Sequence, residues 1–140
     1  MAVARMATSA LAALALLAAG CGGSPPDPDD VVRDYLVAIV DRDGERACDQ
    51  LSGELRADIE GAPAAREAGR SCADVMQLAA GLNPGLKEQD VEELEIRVVE
   101  DGDRARATLQ NPFSRREETL RLVRDGEDWR LSSLETRPTG

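Results

Sequence analysis

The side chains with the most chemical reach in this sequence are three cysteines (Cys21, Cys48 and Cys72), one tyrosine (Tyr35) and 27 carboxylates. There is no histidine. That absence removes Ser-His-Asp and Cys-His nucleophilic catalysis, His-ligated metals and the usual general base near neutral pH. A thioredoxin-type redox pair needs Cys-x-x-Cys spacing, and no two of these cysteines are so placed. The 27 acids stand against 17 basic residues, for a net charge of −10, which argues against a polyanionic partner such as DNA or RNA. Three aromatics, Tyr35, Phe113 and Trp129, are too few for a base-stacking platform. A length of 140 residues fits one domain.

Cys21 closes a segment with its own logic. A short start carrying Arg5 precedes an uncharged Ala/Leu run from Met6 to Gly20. The run is near the length of a signal-peptide core, about 7–15 residues, and short of the about 20 needed to span a bilayer. Without a twin-arginine pair, the general secretion route is expected. The sequence Leu17-Ala18-Ala19-Gly20-Cys21 resembles a bacterial lipoprotein lipobox. That resemblance implies a diacylglyceryl group on Cys21, cleavage before it, and a protein held on the extracytoplasmic face of the cell membrane by its acyl chains. The expected divisions are a signal peptide over 1–20, a lipidated cysteine with tether over 21–30, and a folded domain over 31–140. Removing Arg5 with the leader takes the charge from −10 to −11. The Gly/Pro/Asp-rich stretch 22–30 reads as an extended tether reaching up to about 30 Å.

With Cys21 acylated, Cys48 and Cys72 remain, in a compartment where disulfides persist. A metal would need two further soft ligands, and the sequence offers no third thiol or imidazole. The expected state is a structural Cys48–Cys72 disulfide, with two free buried thiols as the alternative. No cofactor is called for.

The elements that would carry these residues follow from periodicity. Val31, Val32, Tyr35, Leu36, Ile39 and Val40 recur at helical spacing, with Asp29 and Asp30 at the start and Gly44 as the stop. A short helix over 45–51 carries Cys48. Another, from Ser52 to about Gly61, carries Leu55 and Ile59, and 63–70 reads as loop or frayed helix. Ser71 with Asp74 opens a capping box for a helix carrying Cys72, Val75, Leu78 and Ala79, so the disulfide ties two helices. From Val91 the period becomes two. Asp101-Gly102 and Asp125-Gly126 are hairpin signals. Two-residue turns at those pairs set Val98 opposite Ala105, Ile96 opposite Ala107, Leu94 opposite Leu109, Leu122 opposite Trp129 and Leu120 opposite Leu131. A longer turn at 111–114 separates strands two and three. The expected fold class is α+β, with N-terminal helices packed on a four-stranded antiparallel meander sheet.

The helix, then residues 41–48 leading to 51–56, then Glu118-Thr119-Leu120 through Gly126 to Trp129-Arg130-Leu131, resembles the nuclear-transport-factor-2-like superfamily. The likeness covers about residues 28–134 and is to the small cystatin-like α+β cones on secreted and lipid-anchored bacterial proteins. An arginine-rich composition with a single lysine, Lys87, resembles actinobacterial usage. The resemblance implies a cone-shaped sheet wrapped by helices, often pocketed and often dimeric. Enzymatic members, isomerases and dehydratases, use Asp, His or Tyr pointing into the cone. Here the inward positions (94, 96, 98, 105, 107, 109, 120, 122, 129 and 131) carry nothing titratable. Tyr35 and Trp129 read as packing residues. A helix-borne Asp34 or Asp58 is the remaining route to an acid in the pocket.

The opposite sheet face places Arg97 across from Arg106 and Arg121 across from Arg130, with Glu93, Glu95 and Glu117 near enough to balance them. Like charges directly opposite destabilise a ladder unless something intervenes. The face is expected to be an ion-pair network, an anionic-partner surface or a homodimer interface. The functional expectation is a non-enzymatic, membrane-anchored domain binding a small apolar ligand or an envelope protein. The alternative is an isomerase or dehydratase.

Overall fold

The computed structural model describes residues 24–82, 85–111 and 116–134. Residues 1–20, Cys21 and the 112–114 part of the expected middle turn lie outside the described residues. Among the described residues six helices precede four strands: α1 (Pro28–Val40), α2 (Gly44–Asp49), α3 (Gly53–Gly61), α4 (Pro63–Glu67), α5 (Cys72–Gly81), α6 (Glu88–Glu92), β1 (Ile96–Asp101), β2 (Arg104–Gln110), β3 (Glu117–Asp125) and β4 (Asp128–Ser133). The sheet is an antiparallel meander, ordered β1-β2-β3-β4. Among the described residues no helix is long and apolar enough to cross a membrane.

Proline at the first helical position and the Asp29–Asp30 pair start α1 three residues before the expected start of the domain. Val31, Val32 and Ile39 on one face are buried against the sheet. The helix stops at a Schellman motif, with Asp43 N–H donating to the Ala38 carbonyl (2.9 Å) and Arg42 N–H to the Ile39 carbonyl (3.2 Å). Arg42, at φ +56°, takes the left-handed position that glycine usually fills. Gly44 is therefore not the stop. It begins α2, buried, where an added Cβ would strike the Ala73 carbonyl of α5. Ser52 caps α3 by accepting from Leu55 N–H (3.2 Å), and Ser71 caps α5 by accepting from Asp74 N–H (3.2 Å). Residues 63–67, without an apolar period, form α4 behind Pro63.

Val91 lies in a helix, not a strand. It is the buried residue of α6, whose C-terminal carbonyls are gathered by Arg33: 2.8 Å to Val91, 3.1 Å to Glu92 and 2.7 Å to Leu94. Leu94 consequently precedes β1. Both hairpins are two residues out of the expected register. The turns are Gly102-Asp103 and Gly126-Glu127, so Ile96 pairs with Leu109, Val98 with Ala107 and Leu122 with Leu131. With glycine first in the loop, at φ +60° and +66°, only glycine enters the left-handed region, as in a type II′ turn. Placing Asp101 or Asp125 first in a type I′ turn would force an aspartate there as well.

A slip of two preserves the faces. Ala105, Ala107, Leu109, Leu120, Leu122, Trp129 and Leu131 are all buried, with Leu94, Ile96 and Val98 partly buried against them. The β3–β4 register shifts between Arg121 and Leu122, so that Leu122 pairs with Leu131 but Arg121 with Ser133. Ser132 is the extra residue of a β-bulge. Beyond it Leu134 returns to the inner side and packs on the core. The open edge of β4 is covered by residues 50–52, through Leu131 N–H to the Gln50 carbonyl and Ser52 N–H to the Leu131 carbonyl, both 2.8 Å.

Candidate functional site

The Cys48–Cys72 disulfide is formed and joins α2 to α5, with both cysteines buried. Gly44 and Cys48, one helical turn apart, thus press the same face of α2 onto α5, and Gly44 N–H donates to Gln77 Oε1 at 3.2 Å. At the start of α5, Asp74 accepts from Ser71 N–H (3.0 Å) and Ser71 Oγ (2.9 Å). These bonds hold its carboxyl below the usual range. Asp27, Asp29 and Asp30 bring carboxylate oxygens within 4.8 Å of one another at the start of α1, where Asp30 accepts from Asp27 N–H (3.2 Å).

On the inner face, close packing leaves a cavity of about 170 Å³ between α1 and the sheet, lined by Tyr35, Leu36, Ile39, Leu109, Glu118, Leu120 and Leu134 among others. The Tyr35 hydroxyl is directed at Met76 Sδ (3.9 Å), and burial pushes its pKa up to about 12. Asp34 and Asp58 do not enter this cavity. Both are exposed, and Asp34 faces Arg46 at 3.6 Å. The carboxylate at the cavity is Glu118, which accepts from Asn111 Nδ2 at 2.7 Å. Alternation would have identified it, because Glu118 precedes Leu120 and Leu122 on the same side of β3. At the other end of that row, Arg124 pairs with Trp129 and lies 4.9 Å over its ring.

The register also rearranges the outer face. Arg97 stands opposite Thr108 and Arg130 opposite Val123, so neither expected arginine pair exists. Arg106 stands opposite Arg121 instead. Of the acids expected to balance the face, Glu117 does so, at 3.1 Å from Arg97 with both side chains exposed. Glu93 accepts from Gln89 (3.1 Å). Arg130 donates to the Asp49 carbonyl (2.8 Å) and lies 3.7 Å from Asp128. Arg106 and Arg121 have no ion pair among the described residues. Beside them runs a groove of about 490 Å³, reaching from Val99 to Ser132.

An inner face closed by aliphatic packing and an outer face with two opposed guanidiniums can bind, and the outer face has the larger recess. No family model, curated protein or solved structure matches the chain.

Proposed function

We propose that the chain is a lipid-anchored extracytoplasmic protein of nuclear-transport-factor-2-like architecture, acting without chemistry by holding an envelope partner on its exposed sheet face. Residues 1–20 direct export, Cys21 carries the acyl anchor, and helix α1 begins close behind it. The six steps from Cys21 to Asp27 reach at most about 20 Å, which keeps the domain near the bilayer. One observation carries the assignment to the outer face: Arg106 and Arg121 are opposed there without a neutralising acid among the described residues, beside the 490 Å³ groove. The inner cavity, about 170 Å³, is below the roughly 300–1,000 Å³ of ordinary ligand pockets. It would hold only a very small apolar molecule. The isomerase or dehydratase alternative would now have to use Glu118, since Asp34 and Asp58 are on the surface.

Two measurements test this. Cys21→Ser should move the chain from the membrane to the soluble extracytoplasmic fraction; unchanged membrane retention would refute the acyl anchor. A photo-crosslinking residue at Val99, on the outer face, should trap a partner that one at Leu82, after α5, does not. Equal yields would refute the face. A second copy of the chain is the other occupant to test. If Arg106→Ser/Arg121→Ser leaves the sedimentation coefficient unchanged, homodimerisation through this face is excluded.

A further inference from the structure

We infer that the outer sheet face holds a phosphate-binding site, in which the opposed guanidiniums of Arg106 and Arg121 clamp one phosphate group. This rests on the partner-binding role proposed above and gives the partner its chemistry.

Directly opposed residues on antiparallel strands have Cα atoms about 4.5–5.5 Å apart, close enough for like charges to destabilise the ladder. Several other arginines have partners. Arg46 meets Asp34 and Asp41, Arg97 meets Glu117, Arg130 meets Asp128, Arg33 meets three carbonyls and Arg124 covers Trp129. Arg106 and Arg121 are left with each other, in a protein whose net charge is −10.

An anion between them removes the repulsion and gains paired N–H···O bonds. A guanidinium offers a planar fork that matches two oxygens of one acceptor. A carboxylate has two oxygens and occupies one fork; a phosphate group can present oxygens to both. The adjoining groove supplies the rest of the recognition. Arg104 adds a third guanidinium two residues along β2, and Val99 and Val123 offer apolar surface beside the charges. Val99 is 59 % exposed. Asp101, opposite Arg104, closes one end with a negative charge, which favours a single compact phosphate over an extended polyanion. The phosphate could belong to a soluble phosphate ester or to an anionic phospholipid headgroup; the binding chemistry is the same.

The test uses the whole chain with Cys21→Ser and inorganic phosphate, at an ionic strength held constant with chloride. The Nε–H signals of Arg106 and Arg121 should shift saturably, with a dissociation constant near the millimolar range. Arg106→Gln or Arg121→Gln should each weaken binding about tenfold, as loss of one charge-assisted contact does. The double variant should show no response. Its thermal midpoint without phosphate should equal or exceed that of the parent, because the repulsion is gone, and this separates lost binding from lost folding. Sedimentation with phosphatidylglycerol vesicles, competed by phosphate and absent with phosphatidylcholine, would assign the headgroup source. Phosphate binding without sedimentation would assign the soluble ester. No saturable shift at either arginine, or an undiminished shift in the double variant, overturns the site. If the Val99 crosslink persists in the double variant under that result, the partner role stands and only its phosphate chemistry falls.

Discussion

Breaking the Cys48–Cys72 bridge should cost this domain a large part of its stability, and the size of the loss can be estimated. The two cysteines are 24 residues apart, so reduction returns to the unfolded chain the freedom of a loop of that length. Loop-entropy arithmetic gives about 3.5 kcal/mol at 25 °C. Against a typical total of about 5–15 kcal/mol, that is a quarter to most of the margin. It corresponds to a midpoint lowered by roughly 10–20 °C for a domain of this size. The variant is Cys48→Ala/Cys72→Ala in a Cys21→Ser background, which removes the third thiol. Alanine is chosen because serine would bury hydroxyls at sites only 2 % and 1 % exposed, adding about 1–3 kcal/mol for each one left unpaired. Thermal unfolding followed by circular dichroism reads the loss, and the emission of Trp129, buried on β4, reports whether the sheet still packs below the transition. The urea slope should rise, since the unfolded chain exposes more surface without the bridge. A midpoint within about 3 °C of the parent would refute the reasoning, because residues 49–71 would then be constrained in the unfolded state by something else.

Gly44→Ala should destabilise by about 1–3 kcal/mol through overpacking against the Ala73 carbonyl, whereas Arg42→Gly should stabilise by up to about 1 kcal/mol by relieving a left-handed φ; chemical denaturation of both variants would show the opposite signs. The Tyr35 pKa, raised to about 12, favours the neutral phenol in the folded chain, so its contribution is complete below about pH 10 and lost as pH rises toward 12. Tyrosinate absorbance titrating near pH 10 in still-folded protein would contradict this. The lowered Asp74 pKa acts in the opposite direction: its contribution is present above the ordinary carboxylate range and lost as pH falls through the folded value. Asp74→Asn should therefore be less stable than the parent at pH 7, with the gap closing in acid, as denaturant midpoints at several pH values would reveal.

The sequence resolved faces better than partners. Alternation sends Ala107 and Leu122 inward under any even register, so a misplaced turn did no harm to the core. Which arginine faces which depends on the register itself. The Gly-Asp and Gly-Glu loops separate Arg97 from Arg106 and Arg121 from Arg130. The Arg106–Arg121 pair is set by the β2–β3 pairing across the longer middle connection, whose register no two-residue turn signal gives. Helix α6 was illegible because five residues with one buried valine make no period; it is held by Arg33 from 58 residues away in sequence. The cap at Ser71 was legible because a hydroxyl that satisfies an orphan N–H acts over three residues. Gly44 had the right residue type for a helix stop, but the requirement for glycine comes from α5, which no local pattern contains.

The bulge at Ser132 governs how this strand can change length. In a regular strand, residues three apart never serve the same side, yet Leu131 and Leu134 both do. One inserted residue supplies the odd step. Deleting Ser132 would remove the bulge and restore plain alternation: Ser133 would stay opposite Arg121, and Leu134, now two residues from Leu131, would stay on the inner side. A gap of one residue at this point is therefore tolerated by the pattern of sides, whereas a gap of two would set Leu134 directly after Leu131 and turn it toward water.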